Sequence, residues 1–166
     1  MKKSFLLLAG AAAVLASCSK TETTDRPQGS AIGFAGAWIG HAVESKAQND
    51  ANITTEGIDH FFVFGGYEGF NNVFGTAEAG EQAIGTKVTK AADSWTYSPV
   101  RYWVEDKTYD FAAYSPDLTD VATVAADAAN KAISFTNFVS DKDHQHDLIY
   151  AHVSNATHEQ KVQFSF

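Results

Sequence analysis

The sequence predicts an all-β fold, an antiparallel β-sandwich preceded by a signal peptide and a tether. The first observation is composition: four of the six leucines lie within the first 17 residues, and the remainder holds 11 valines, 7 isoleucines, 14 threonines and 20 aromatic residues. β-Branched and aromatic side chains suit a pleated, half-buried surface. The second observation is a repeated alternation of apolar and polar residues over short segments, which indicates strands with one buried face.

Length and charge limit the class of protein further. The 166 residues fit one domain or two small ones, and a hydrophobic content of 45% with 19% charged residues favours a packed core over a disordered tail. The net charge of −8 argues against a nucleic-acid partner, because phosphate contacts need clustered lysine and arginine.

The N-terminal segment is predicted to be a lipoprotein signal peptide over residues 1–17. A cationic start precedes an apolar run over 5–16, which is too short for the ~20 residues that span a bilayer. The following Leu15-Ala16-Ser17-Cys18 resembles a bacterial lipobox, in which the chain is cut between Ser17 and Cys18 and the cysteine carries the lipid. An ordinary secretory signal with a chance cysteine is the alternative. Several acyl chains on Cys18 would anchor the protein stably to a membrane.

Cleavage before Cys18 would leave 149 residues and, with Lys2 and Lys3 lost, a net charge of −10. Cys18 is the only cysteine, so its lipidation would leave no thiol for catalysis or metal binding. Residues 18–30 are polar and are predicted to form a flexible tether. The sandwich domain is then predicted over 31–166.

Strands are predicted along this domain in order. The first covers 32–40, although its glycines weaken the pattern. Residues 61–64 are apolar on both faces and predict a central strand, and 86–90 with 94–97 predict a hairpin. Later strands are predicted within 109–114, 133–136, 148–153 and 162–166. The Ala- and Val-rich segment 118–131 predicts either a short helix, capped by Asp117 or Thr119, or a mobile loop.

Motifs that carry chemistry are few. In an extended chain His144 and His146 would share a face, and with His152 nearby they form a weak candidate for a zinc or copper site. A polar loop is the simpler interpretation. No nucleophile elbow or phosphate loop occurs, so the sequence predicts neither an enzyme nor a cofactor.

Aromatic residues cluster within fifteen positions of the chain. Exposed aromatic side chains on a sandwich can stack on sugar rings, whereas buried ones fill the core, and the core interpretation is favoured here. The cluster consists of Trp95, Tyr97, Tyr102, Trp103 and Tyr109.

The order of these landmarks resembles the fimbrillin family, the lipoprotein-type subunits of Bacteroides-type fimbriae. Each piece is weak alone, but their order and spacing together are fairly specific. The matching segments are Ile32-Gly33-Phe34, Ser45-Lys46-Ala47, 58–65, Trp95-Thr96-Tyr97, Tyr102-Trp103, 109–116 and 146–151.

The resemblance implies a transthyretin-like Greek-key sandwich as an N-terminal domain, exported as a lipoprotein to the outer membrane and cell surface. Its implied partners are other fimbrial subunits, the membrane through the lipid, and host or bacterial surface ligands. In polymerising members a trypsin-like protease removes the first strand, and a strand of the next subunit fills the groove. This is β-augmentation, in which backbone hydrogen bonds and alternate apolar side chains supply affinity.

Carried onto this chain, the removable strand would be 32–40, with Ile32, Phe34 and Trp38 as its apolar residues. Candidate cleavage sites follow Lys46 or Arg26. Since Pro27 follows Arg26 and most trypsin-like enzymes resist such a bond, Lys46 is the preferred site.

The resemblance also departs at the end of the chain, because family members continue into a second domain where this sequence stops at Phe166. The expectation is therefore a fragment or a truncated member that accepts a strand without donating one. Three functions compete: a structural or adhesive fimbrial subunit, a surface glycan-binding lipoprotein, and a metalloenzyme centred on the histidines. The first is preferred.

Overall fold

The computed structural model describes residues 29–38, 58–76, 83–139, 141–144 and 146–166. These residues are all-β, as predicted, and include no helix of the length and hydropathy that a membrane span requires. The described ranges contain nine strands in order: β1 (Phe34–Trp38), β2 (His60–Gly66), β3 (Thr86–Ala91), β4 (Ser94–Thr96), β5 (Tyr109–Ser115), β6 (Thr123–Asp127), β7 (Ala132–Thr136), β8 (Ile149–Ala156) and β9 (Val162–Ser165).

A five-stranded antiparallel sheet in the order β4-β3-β2-β5-β8 forms the centre of the fold. Strand β2 lies in the middle, and its residues 61–66 are buried on both faces, which confirms the predicted central strand. The predicted hairpin is also confirmed, since β3 and β4 pair across the turn at Ala92 and Asp93.

One face of this sheet packs against a small sheet of two strands, β1 and β9. These strands run parallel, with Phe34 opposite Val162 and Ala37 opposite Phe164. The parallel pairing differs from the antiparallel arrangement expected from the sequence, and it joins strands that are far apart in the chain. The core between the two layers is largely aromatic and contains Ile32, Phe34, Phe61, Val63, Phe74, Val88, Trp103, Tyr109, Phe111, Ala113, Ala151, Val162 and Phe164.

The opposite face is covered by the antiparallel hairpin of β6 and β7 and by the turn before it. Phe62 and Tyr114 stack here, with ring centroids 5.2 Å apart, and Phe135 of β7 meets Tyr114 edge-on at 5.3 Å. The buried members of this second core are Phe62, Phe64, Phe70, Ala112, Tyr114, Leu118, Val121, Val124 and Ile133.

The prediction of a helix or mobile loop over 118–131 is wrong. The carbonyl of Leu118 accepts hydrogen bonds from the backbone N–H groups of Val121 and Ala122, which closes a turn, and β6 begins at residue 123. Along β6, Val124 is buried while Thr123 and Ala125 are exposed. Alanine on the exposed face concealed this alternation, because it contrasts little with valine on the buried face.

Candidate functional site

The first-strand segment, which we define as residues 30–38, lies in a groove between β9 and the loop of residues 97–103. On the loop side, the backbone N–H of Ile32 donates to the carbonyl of Arg101 at 2.9 Å. The N–H of Trp103 donates to the carbonyl of Ser30 at 3.0 Å. The segment is therefore held on this side by antiparallel backbone hydrogen bonds.

The other side of the segment pairs with β9. The N–H of Val162 donates to the carbonyl of Gly33 at 2.9 Å, and the parallel register then shifts between Phe34 and Gly36. The first-strand segment thus bonds to two parts of the chain that lie about 60 residues apart, to residues 101 and 103 through its first residues and to β9 through the later ones.

Among the described side chains of the first-strand segment, Phe34 is the largest in the core, and it is 3% exposed. Its burial stabilises the fold by about 1.5–3 kcal/mol relative to an exposed ring. The ring stacks on Phe164 with centroids 5.9 Å apart, and it meets four further rings edge-on. We call these five neighbours the aromatic pocket: Phe61 at 5.7 Å, Phe74 at 5.6 Å, Tyr97 at 5.6 Å, Phe111 at 6.3 Å and Phe164.

Gly36 occupies a position that only glycine accommodates well. Its φ of +120° is a conformation that side chains with a Cβ rarely adopt. A Cβ built there would also lie 2.8 Å from Nε1 of Trp95, whose half-buried ring packs on Phe61 at 4.8 Å. Immediately before the segment, a Cβ on Gly29 would lie 1.8 Å from the carbonyl oxygen of Trp103.

Tyr97 fastens the loop to the first-strand segment. Its hydroxyl donates to the carbonyl of Ile32 at 2.7 Å and accepts from the backbone N–H of Arg101 at 3.2 Å. Burial raises the pKa of Tyr97, so the hydroxyl stays protonated and able to donate. The hydroxyl of Tyr109 holds the end of the same loop to β5, because it accepts from the N–H of Val104 at 2.9 Å.

The predicted aromatic cluster therefore belongs to the core and to this groove. Trp103 is 3% exposed and packs edge-on against Tyr109 at 4.6 Å, and Tyr109 is fully buried. Trp95 and Tyr97 are half-buried against the same core. The sugar-stacking interpretation required Trp95 or Trp103 to be exposed and coplanar with a neighbour, and neither ring is arranged in that way.

The three candidate metal ligands do not converge. His144 Nδ1 lies 2.9 Å from Asp141, His146 Nε2 lies 3.3 Å from Asp120, and His152 faces Ser154. Within the described ranges no group of three His, Cys, Asp or Glu side chains is placed to hold a metal ion. These histidines serve instead as hydrogen-bond partners at the surface.

Of the residues predicted for the removable strand, Ile32 and Phe34 are in the core, and the backbone of Trp38 pairs with Ser165. Cys18, Arg26 and Lys46 lie outside the described residues. Sequence reasoning missed the roles of Gly36 and Phe74. A glycine inside a strand pattern does signal a close backbone approach, but the pattern alone does not identify the ring that approaches.

A family model described as fimbrillin-like matches residues 45–166, which is well over half of the chain and includes β2 to β9. The first-strand segment precedes the matched region. Comparisons with curated proteins and with solved structures found no significant match.

Proposed function

Because the chain belongs to the fimbrillin-like family, we propose that it is a structural subunit of cell-surface fimbriae that assembles by exchange of its first strand. The observation that carries the proposal is the position of the first-strand segment, which bonds to residues 101 and 103 on one side, pairs with β9 on the other and inserts Phe34 into the aromatic pocket. The family is one of structural subunits, which agrees with a groove that binds backbone rather than a reacting small molecule.

Removal of the segment would leave a groove suited to another strand. The rings of the aromatic pocket would lose their central neighbour, and the edges of β9 and of residues 101–103 would lose their backbone partners. Exposed apolar surface beside an unpaired edge favours the addition of a strand, since hydrogen bonds and burial are regained together. A strand from a neighbouring subunit would restore both.

The proposal includes export and processing. Cleavage between Ser17 and Cys18 and lipidation of Cys18 would deliver the subunit to the outer membrane and cell surface, with residues 18–30 as the tether to a Greek-key sandwich. A trypsin-like protease would then cut after Lys46 and release the tether and the first strand together. Arg26 is the second candidate site, but cleavage there would leave the first-strand segment attached to the domain.

N-terminal sequencing of subunits recovered from assembled fimbriae tests the processing step. We expect the mature chain to begin at Ala47, and a chain that still begins at lipidated Cys18 would contradict the proposal. Lys46→Gln should block both cleavage and assembly, whereas the matched variant Arg26→Gln should leave both unchanged. Assembly by an uncleaved Lys46→Gln subunit would show that the first strand is not exchanged.

A further inference from the structure

We infer that the groove selects its incoming strand by a four-position pattern: glycine where Gly29 lies, then an aliphatic residue at Ile32, an aromatic residue at Phe34 and glycine at Gly36. The inference rests on the proposed strand exchange and defines the chemistry of the partner strand. Backbone pairing alone would accept many sequences, so the selection has to come from the side-chain positions.

The aromatic position follows from the shape of the pocket around Phe34. One neighbour, Phe164, is nearly parallel to the ring at 19°, and the other four lie at 71–85° to it. Rings so arranged offer a flat space with favourable edges, which a planar side chain fills and a branched aliphatic one leaves partly empty. Two residues earlier, Ile32 is 1% exposed and fills an aliphatic position.

Glycine at the last position is selected for two independent reasons. The backbone there has a φ of +120°, which strains any residue with a Cβ. In addition, Trp95 Nε1 occupies the place where a Cβ would need space, at 2.8 Å. Trp95 is held by its contact with Phe61 and so acts as a specificity-determining residue for the incoming strand.

Glycine at the first position is selected because the obstacle there is a backbone atom. The atom that a Cβ on Gly29 would meet is the carbonyl oxygen of Trp103, at 1.8 Å, and that residue is held by its buried ring, which packs on Tyr109 at 4.6 Å. A backbone obstacle cannot rotate aside as a side chain can. Any residue other than glycine would displace the start of the strand from residues 101–103.

The positions between these four are permissive. Ala35 is exposed, and a Cβ on Gly33 would meet only the flexible side chain of Lys161 at 3.4 Å. The incoming strand takes the direction of β1, since that direction matches the bonds to Arg101, Trp103 and Val162. Within the 166 residues the pattern occurs once, at 29–36, so a peptide of this sequence is the natural probe.

Competition during refolding tests the pattern. The full chain, prepared in detergent with a specific protease site within residues 40–46, is cut and unfolded in urea. It is then refolded with an excess of an isotope-labelled peptide of residues 29–38, and native mass spectrometry measures peptide incorporation. We expect the unsubstituted peptide to replace most of the chain's own first strand. Phe34→Ala should abolish incorporation, and Gly36→Ala should reduce it about tenfold because of backbone strain and the Trp95 contact.

Two controls distinguish selection by the pattern from nonspecific peptide binding. The Ala35→Ser peptide should enter as well as the unsubstituted one, and a peptide of reversed sequence should not enter. The second control uses a chain that carries Trp95→Phe, which removes Nε1. Incorporation of the Gly36→Ala peptide should be about threefold higher in this chain than in the unsubstituted one, because only the steric part of the penalty is relieved. Backbone strain alone would give no such recovery.

The outcomes distinguish the pattern from the exchange itself. If the Gly36→Ala and Phe34→Ala peptides enter as readily as the unsubstituted one, the pattern is wrong while strand exchange stands. Preferential entry of the reversed peptide would overturn the direction. If no peptide enters during refolding, the groove does not exchange strands, and both the proposed function and this inference are overturned.

Discussion

The two faces of the five-stranded sheet are covered in different ways. One face carries the hairpin of β6 and β7, whose strands are joined by a short turn and pair antiparallel over five residues. The other face carries β1 and β9, which are parallel and distant in sequence. Both covers bury aromatic and aliphatic side chains, but only the hairpin is built from one continuous stretch of chain.

This difference bears on the proposed strand exchange, in which one cover is permanent and the other is removed. The hairpin is fixed further by Lys131, whose ammonium group pairs with Asp110 on β5. The first-strand segment lies at the N-terminal end of the fold, and the stretch 39–59 separates it from β2. One cut in that stretch would free the segment, whereas release of the hairpin would require two cuts. The proposed exchange therefore concerns β1, whereas β6 and β7 would stay in place.

The largest expected effect concerns one phenylalanine from each cover, Phe34 on β1 and Phe135 on β7. Phe34→Ala should lower the free energy of unfolding by about 3–5 kcal/mol, since it empties the aromatic pocket. Phe135→Ala on the hairpin should cost about half as much, because that ring is half-buried and meets mainly Tyr114. Urea denaturation measures both. Equal losses would mean that both covers contribute equally to the free energy of unfolding, which would contradict the difference drawn here.

A smaller effect is expected at Gly36. In the uncut chain Gly36→Ala should reduce the free energy of unfolding by about 1–3 kcal/mol, through strain at positive φ and contact with Trp95. Gly69→Ala is the matched control, because nothing lies within 4 Å of a Cβ built at Gly69. Thermal unfolding should show a lower midpoint for the first variant and little change for the second.

Two tyrosine hydroxyls, one on each face of the sheet, allow the covers to be compared through single hydrogen bonds. Tyr97→Phe removes the bond to Ile32 and leaves the N–H of Arg101 without that acceptor, so about 1–2 kcal/mol should be lost. Tyr114→Phe on the hairpin face removes one bond, from its hydroxyl to the carbonyl of Ile84 at 2.7 Å, and should cost about 1 kcal/mol. Only Tyr97→Phe should also accelerate amide hydrogen exchange in the first-strand segment.

The smallest effect is the dependence on pH through Asp110. Burial pushes the pKa of its carboxyl up, but the hydrogen bonds from Lys131 and from the N–H of Asn155 outweigh burial, and the net pKa is lowered. The carboxylate therefore stabilises the fold above about pH 4, and this contribution is lost as pH falls through the lowered pKa.

Denaturant titrations between pH 2 and pH 7 measure this contribution, which should be less than about 1 kcal/mol because Lys131 is largely exposed. Asp110→Asn should flatten that part of the pH profile, and Lys131→Gln should flatten it partly. A profile that both substitutions leave unchanged would show that the pair does not fasten the hairpin to the sheet.

Local patterns in the sequence predicted most individual strands. Alternation along Val162, Phe164 and the residues between them predicted β9, and the apolar run 61–64 predicted the central position of β2. The same patterns could not predict that β1 and β9 pair in parallel, because periodicity determines which face of a strand is buried and not which strand lies beside it.

The candidate site could be predicted only in part, and the same limit of local patterns explains why. Ile32 and Phe34 were identified as apolar residues of the first strand, and the core role of Trp103 followed from its size and surroundings. The role of Gly36 depends on Trp95, which is far away in sequence, so no local pattern could indicate it. The histidines illustrate the opposite case, because a local pattern indicated a site that does not form. The spacing of His144 and His146 suggested a shared metal site, but each side chain contacts a different aspartate.

The parallel pairing of β1 with β9 also sets an order of events during synthesis. Phe34 and Val162 are opposite each other in the sheet but lie about 130 residues apart in the chain, so the first strand is made long before its partner exists. Contacts of such long range form late in folding, after the sheet and its hairpin have assembled. A nascent chain therefore passes through a stage in which the first strand is complete but β9, which forms one side of its groove, has not yet been made, so Phe34 lacks its place in the core during that stage.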